Sequence, residues 1–296
     1  MHNLYGKEMK ITIIGGGAIG LVLAASLENK SEVSVLVKPE KFKKLSEKGL
    51  WIVENNIKRR INAKVVNDMK EPDIVIIAVK GYDLEKTNEL LNDFKGKLII
   101  CQNGLKMLDF NPPNNNEIFA IVTSIGAESL EEGITEFKGT GNTLLGNLHN
   151  VINDSKDMLN LFSTKYFKIS HKTNIKNYIW LKAVINSAIN PIASHHGIKN
   201  GELKKEKYWE SVRELLSESV NIAKSNDINF AEEPIKLTEE IIEMTANNIC
   251  SMLQDITKGR KTEINEINGA LIQIGKKNDV STRLNSKYLE KIKVLN

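Results

Sequence analysis

"KITIIGGGAIGLVLAASL", residues 10–27, is the stretch on which the fold turns. Its opening is β-branched and reads as a buried strand, whereas Ala18 to Glu28 reads as a helix. Between them Gly15, Gly17 and Gly20 stand in GxGxxG spacing. In a strand–turn–helix context the first glycine permits the tight turn and the second lets backbone approach a pyrophosphate. The third lets helix and strand pack closely. The helix opens at Ala18 and Ile19, where free N–H groups face the phosphates. Gly15, Gly17, Ala18, Ile19 and Gly20 are therefore the expected cradle of a dinucleotide.

Outward from this motif the front half alternates in period. "EVSVLV" (32–37) is the next strand, residues 39–48 are helical, and "LWIV" and "RINAKVV" are short extended runs. "DIVIIAV" (73–79) is continuously apolar, as suits a central parallel strand covered on both faces. A helix over 84–94 and the strand "KLIIC" follow, and "NPPNNN" (111–116), which cannot continue either, reads as an exposed loop. Residues 117–145 predict short strands with tight turns, 154–163 a helix, and "FKIS" an edge strand. Beyond about residue 172 the period becomes helical, over 174–194, 206–225, 235–255 and 263–277. The expected class is α/β: a Rossmann-type dinucleotide-binding domain over 1–172, then a mostly helical domain over 173–296.

The second strand runs into Lys38, with no acid at its tip. An NAD site usually places Asp or Glu there for the ribose 2′-hydroxyl, whereas a lysine attracts a 2′-phosphate. Glu40 lies two residues on and opposes this slightly, but NADP is expected over NAD.

The bulk composition excludes other classes. A chain of 296 residues with 41% hydrophobic content suits one large or two medium globular domains. The formal charge of +4 arises from dispersed lysines, which reads as a solvated face rather than a nucleic-acid surface. Two cysteines, Cys101 and Cys250, form no metal-ligand spacing and suit a reducing cytoplasm. No run approaches the roughly 18 apolar residues of a membrane span, and "MHNLYGKEMK" lacks the core of a signal peptide.

The helical half carries a polar line. In "KAVINSAIN" (182–190), Lys182, Asn186 and Asn190 recur every four residues among apolar neighbours. Each step advances about 400°, so the three share one face over about 12 Å. A solvated face is one account. Asparagine is a poor mid-helix residue, however, and two of them without charged neighbours suit side chains aimed at something polar. Pro191 leaves the carbonyl of Ser187 without its helical donor, so a kink is expected beside Asn190. Asn248 and Ser251, three apart, can share a helix face. Glu263 reads either as the partner of a lysine or as the first-turn acid of a helix capped by Thr262.

Taken together, "GGGAIG" (15–20), "AVKGYD" (78–83), "CQNG" (101–104), "WLKAVINSAINPIA" (180–193), "NGEL" (200–203), "SMLQDI" (251–256) and "KTEINEINGAL" (261–271) resemble the ketopantoate reductase family over nearly the whole chain. The resemblance implies NADPH-dependent reduction of 2-dehydropantoate to (R)-pantoate, a step toward pantothenate and coenzyme A, in a cleft between two domains. It implies Lys182 as the catalytic lysine, Glu263 as the acid working with it, and Asn103 near the nicotinamide and the reacting carbonyl. It assigns Lys80 to the cofactor, Asn186 and Asn190 to the substrate hydroxyl, and Asn200 and Asn248 to the substrate's surroundings. Ser251 falls to the substrate carboxylate, and Lys38 stands where the family commonly has arginine. The His195–His196 pair is a departure from the family pattern, and with no third ligand in sight no metal is expected. The expected partner is a small 2-oxo acid, with no nucleic acid and no membrane. Monomer and homodimer both remain compatible. The alternatives are a reductase of a related 2-oxo acid and a non-catalytic NADP-binding sensor.

Overall fold

The computed structural model describes residues 9–149 and 156–295. The chain divides into two compact units, Met1–Gln102 with Phe110–Ile175, and Asn103–Asp109 with Lys176–Asn296.

The first unit begins as the glycine motif predicts, with β1 (Lys10–Ile14), α1 (Ala18–Leu27) and β2 (Glu32–Leu36). Helix α2 spans Pro39–Lys48. Next come β3 (Trp51–Glu54), β4 (Ile57–Arg60), β5 (Lys64–Val66), β6 (Ile74–Ile77) and β7 (Lys97–Ile100). The unit continues with β8 (Ile118–Thr123), β9 (Gly126–Glu131), β10 (Ile134–Gly139), β11 (Gly141–Asn147), α3 (Lys156–Phe162) and β12 (Phe167–His171).

Eight strands form one sheet in the order β12-β11-β8-β7-β6-β1-β2-β5, and β4-β3-β10-β9 form a second. From β5 to β8 every pair is parallel. All four residues of β6 are buried, which is why "IVII" shows no alternation. The order reverses at β1, with β2 on one side and β6 on the other. Ligands of open α/β sheets bind at such a switch point, beyond the carboxyl ends of the strands.

The structure corrects the expectation at three places in this unit. Residues 84–94 hold no α-helix; a 3₁₀ turn at Gly81–Asp83 leads into a second at Glu85–Leu91. The loop 111–116 is not merely exposed, since Asn114 Nδ2 donates to the carbonyls of Leu91, Asn92 and Phe94 at 2.9–3.1 Å. Asn116 is buried and donates to Phe94 and Gly96, so these asparagines cap what precedes β7. The strands over 117–145 are present but divided between the two sheets. The expected start of a helix at 154 lies outside the described residues, and α3 is described from Lys156.

The second unit contains α4 (Ile175–His196, entering from the first unit), α5 (Glu206–Lys224), α6 (Pro234–Met244), α7 (Ser251–Thr257), α8 (Ala270–Lys277) and α9 (Arg283–Lys293). Helix α4 runs through Pro191 without ending. The helix expected over 235–255 is broken into α6 and α7 at "TANNIC", where paired asparagines compete for backbone hydrogen bonds. The segment expected to be helical over 263–277 opens with a π-helical turn, Asn265–Gly269, ahead of α8. Helix α9 was not foreseen, although Asn285, Tyr288 and Ile292 bury one face at helical spacing.

Candidate functional site

In the first unit a candidate nucleotide site grows from three glycines with three different reasons to be glycine. Gly15 has φ +116°, and a Cβ there would lie 2.8 Å from the Ala78 carbonyl oxygen. A Cβ on Gly20 would lie 1.9 Å from the Gly15 oxygen, so α1 packs against the turn more closely than any side chain allows. Above Gly17 a Cβ would meet nothing within 4 Å. Gly17 is also the N-cap of α1 and makes no side-chain capping bond. This is a cradle with open space at the residue that must approach a pyrophosphate, and uncapped first-turn N–H groups beside it. The residues present fit a dinucleotide.

Lys38 follows β2 and is exposed, with its Nζ 3.5 Å from Asp83 Oδ2. Asp83 also binds Lys86 Nζ, in the 3₁₀ turn after β6. Burial works against ionisation of Asp83, but hydrogen bonds and charge from Lys86 and Lys38 outweigh it and hold the carboxyl below its ordinary value. Lys80, half-buried, opens the same turn, and its carbonyl accepts from Asp83 N–H at 2.8 Å. After β7, Gln102 Nε2 donates to the Val79 carbonyl at 2.7 Å, tying the ends of β6 and β7 together.

In the second unit the turn at Asn103–Leu105 lies on the π-helical segment. Gly104 has φ +82°, and a Cβ there would lie 2.4 Å from the Glu266 carbonyl oxygen. Leu105 N–H donates to that same oxygen. Backbone contact this close carries Asn103 to Glu263, with Nδ2 donating to Oε2 at 3.3 Å. Glu263 is buried, and its carbonyl accepts from the N–H groups of Glu266 and Ile267, so it also starts the helix. Glu263 therefore stands just before the helix, and its carboxylate accepts from Asn103.

On α4 the polar line lies among buried Ala183, Val184, Ile185, Ala188 and Ile189. Lys182 and Asn186 are half-buried, and Asn190 is buried. A solvated face does not describe them. Cys250 donates to the Asn190 carbonyl at 3.7 Å, and burial pushes its thiol up. Both cysteines are buried, and neither is in a disulfide.

Asn200 is buried, and its Nδ2 donates to Thr245 Oγ1 at 2.9 Å. Its backbone N–H donates to the Asn248 carbonyl at 3.0 Å, so Asn200 braces the break between α6 and α7. Asn248 is exposed in that break and Ser251 is exposed as the first residue of α7. They do not share the face of one helix, which corrects the expectation; the Asn-rich break separates them.

His195 and His196 are in ring contact at 4.8 Å, and Lys291 Nζ lies 3.2 Å from His195 Nε2. Burial first lowers both imidazoles below their ordinary value, followed by the charge of Lys291 at His195 and by His195 and then Lys291 at His196. Among the described residues no group of three His, Cys, Asp or Glu is placed to hold a metal, and no helix is long and apolar enough to cross a membrane.

Two residues of interest escaped the sequence reading. Asp83 lies inside the quoted "AVKGYD", but only folding brings it to Lys38. Glu266 is buried, with Oε1 3.7 Å from Lys106. Its spacing of three from Glu263 in an apolar segment was the available signal.

Residues 11–150 match the family model described as ketopantoate reductase PanE/ApbA, and residues 174–296 match the model of its C-terminal part. The chain is similar to the 2-dehydropantoate 2-reductase of Pyrococcus horikoshii, 32% identical over 94% of each chain. It is similar also to that of Archaeoglobus fulgidus, 26% identical over 97% of this chain and 98% of the other. Among solved structures, D-mandelate dehydrogenase with NADH and anilino(oxo)acetate has a TM-score of 0.87 at 25% identity, covering 97% of this chain and 98% of that one. The probable 2-dehydropantoate 2-reductase of Bacillus subtilis has a TM-score of 0.83 at 23% identity, covering 97% and 100%, a likeness of fold.

Proposed function

The chain belongs to the ketopantoate reductase family of NAD(P)-dependent oxidoreductases, and from that premise we propose that it reduces 2-dehydropantoate to (R)-pantoate with NADPH. The supporting observation is the full-length similarity to a 2-dehydropantoate 2-reductase, joined to a lysine and two asparagines sheltered along one helix. In this reading residues 1–172 form the dinucleotide domain and 173–296 the substrate domain, as part of pantothenate and coenzyme A synthesis in the cytoplasm. Gly15, Gly17, Ala18, Ile19 and Gly20 hold the pyrophosphate, Lys38 holds the 2′-phosphate, Lys80 lies on the cofactor side, and Asn103 lies at the nicotinamide.

The cofactor, when bound, supplies hydride to the ketone carbon. Negative charge then grows on the ketone oxygen, and the Lys182 ammonium stabilises it and delivers the proton that completes the alcohol. Glu263 biases Lys182 toward its charged form and is itself oriented by Asn103. Ser251 binds the substrate carboxylate. Asn186 and Asn190 read the substrate hydroxyl, since a site built to hydrogen-bond a hydroxyl rejects analogues that lack one. Asn200 acts by bracing Asn248 beside the substrate.

A second reading is reduction of a different 2-oxo acid, with NADH as the donor. It is favoured by the likeness to D-mandelate dehydrogenase and by the carboxylate of Asp83 beside Lys38. Steady-state oxidation of NADPH and NADH with 2-dehydropantoate and a panel of 2-oxo acids separates the readings. Preference for 2-dehydropantoate with NADPH is the expected result. Preference for another acid replaces the substrate, and dinucleotide binding with no turnover favours a sensor.

A further inference from the structure

The carbonyl of Ser187 lacks its helical donor, because the residue four ahead in α4 is Pro191. The donor comes from another element of the same unit. Asn268, fully buried in the π-helical turn after Glu263, donates from Nδ2 to Ser187 O at 2.9 Å. The same amide donates to Asn285 Oδ1 at 2.9 Å.

The direction of these bonds follows from a carboxylate. Glu218, a buried residue of α5, accepts from the backbone N–H groups of Leu284 and Asn285 at the start of α9 at 2.9 and 2.8 Å. Its Oε1 also accepts from Asn285 Nδ2 at 3.0 Å. The nitrogen end of the Asn285 amide is thereby committed, so its oxygen faces Asn268. Asn268 then meets two acceptors and must present N–H to both. Asn268 is thus held through its nitrogen, while its buried Oδ1 accepts no hydrogen bond among the described residues; the bonds made by the nitrogen favour one arrangement of the elements they join.

What it joins is the candidate site. Ser187 follows Asn186 and Pro191 follows Asn190, so the tied carbonyl belongs to the turn of α4 that carries both asparagines. Asn268 lies five residues beyond Glu263 in a turn whose wider winding marks a departure from regular helix. We propose that Asn268 is a positioning residue for 2-oxo acid reduction: by supplying the donor that Pro191 withholds, it sets the Glu263 segment in register with Lys182, Asn186 and Asn190. The proposal rests on the reading of those residues as the 2-oxo acid site.

The test is Asn268→Leu, which removes both donors at similar volume, alone and with Pro191→Ala, which returns an N–H to the helix. Unfolding midpoint, dinucleotide Kd, and kcat and KM for 2-dehydropantoate are measured on each. Asn268→Leu is expected to lower kcat/KM about tenfold or more while the NADPH Kd stays within about twofold, since small displacements of a reacting constellation are costly. Adding Pro191→Ala is expected to recover at least about threefold of that loss by making the Asn268 donor redundant. A lowered midpoint with kcat/KM within about twofold of the parent, or no recovery in the double variant, overturns the proposal and leaves Asn268 a stability residue. If Asn268→Leu does not fold, Asn268→Ser is held to the same two criteria. Failure of the parent chain to reduce any 2-oxo acid removes the functional reading and this inference with it, an outcome visible before any variant is made.

Discussion

The ammonium of Lys38 lies 3.5 Å from the carboxylate of Asp83, which joins the loop after β2 to the turn after β6 across β1. A lysine read as the anchor of a 2′-phosphate thus already has an anionic neighbour. That neighbour is kept ionised by two lysines, and it lies where an additional negative charge would meet repulsion.

In the proposed reading, cofactor choice is a balance of these two side chains. Asp83→Asn is expected to tighten NADPH relative to NADH by about threefold to tenfold, the scale of one partly screened charge pair. Lys38→Ala is expected to weaken NADPH by at least that factor while sparing NADH. Fluorescence titration of both nucleotides at low and high salt reads the effect, which shrinks as salt rises. Equal shifts for the two nucleotides would remove both residues from 2′-phosphate selection.

The glycine cradle separates folding from binding. A Cβ on Gly17 meets no atom within 4 Å, so Gly17→Ala is expected to fold with a stability change of about 1 kcal/mol or less. It should nevertheless raise dinucleotide Kd by about tenfold or more, because the methyl stands where the pyrophosphate approaches. Gly20→Ala puts a methyl 1.9 Å from a backbone oxygen, and a loss above about 3 kcal/mol is expected from the forced separation of α1 and its turn. Denaturant unfolding beside nucleotide titration checks both. Normal binding by Gly17→Ala contradicts the cradle.

The polar half predicts a different pattern. Lys182→Ala is expected to lower kcat by roughly 10²–10⁴-fold, the usual range for a positioned acid, with dinucleotide affinity unchanged. Asn103→Ala releases the Glu263 carboxylate from its 3.3 Å contact and should lower kcat by a smaller factor, about tenfold. If Lys182→Ala turns over as well as the parent chain, the assignment of the proton donor is wrong.

Acid stability has an identifiable contributor in Glu132, which holds both Lys41 and Lys44 at 2.7 Å. Hydrogen bonds from Lys41 and Lys44, against a smaller opposing effect of burial, push its carboxyl from 4.5 down to about 2. A carboxyl depressed on folding contributes stability that is present above about pH 4.5 and is lost as pH falls toward about 2. The lysines are about half exposed, so solvent screening limits the pair of bridges to about 1 kcal/mol. Glu132→Gln is expected to flatten the acid limb of unfolding free energy in that window and to leave the slope above pH 6 unchanged, within about 0.3 kcal/mol per unit. An unaltered acid limb refutes the assignment.

Legibility followed distance along the chain. The strand, glycine turn and helix at 10–27 form one contiguous unit, so spacing alone predicted both their geometry and the reason for each glycine. The line Lys182, Asn186 and Asn190 was equally readable, because a period of four puts three residues on one helix face. The break at 245–250 was harder to read. Apolar periodicity ran on through it, while the carbonyls of Ala246 and Asn248, just past α6, accept from the backbone N–H groups of Gly201 and Asn200.

By itself the sequence determined a parallel α/β unit with a dinucleotide cradle, a lysine after the second strand, and a polar stripe on an apolar helix. Each is a local property of backbone conformation and periodicity. Only the tertiary structure decided that Asn103 meets Glu263 across 160 residues, that Asn268 supplies the donor missing at Ser187 across 81, and that Asp83 stands beside Lys38. A buried amide or carboxylate takes whichever partner packing brings within hydrogen-bond reach, and no periodicity in the chain encodes that choice.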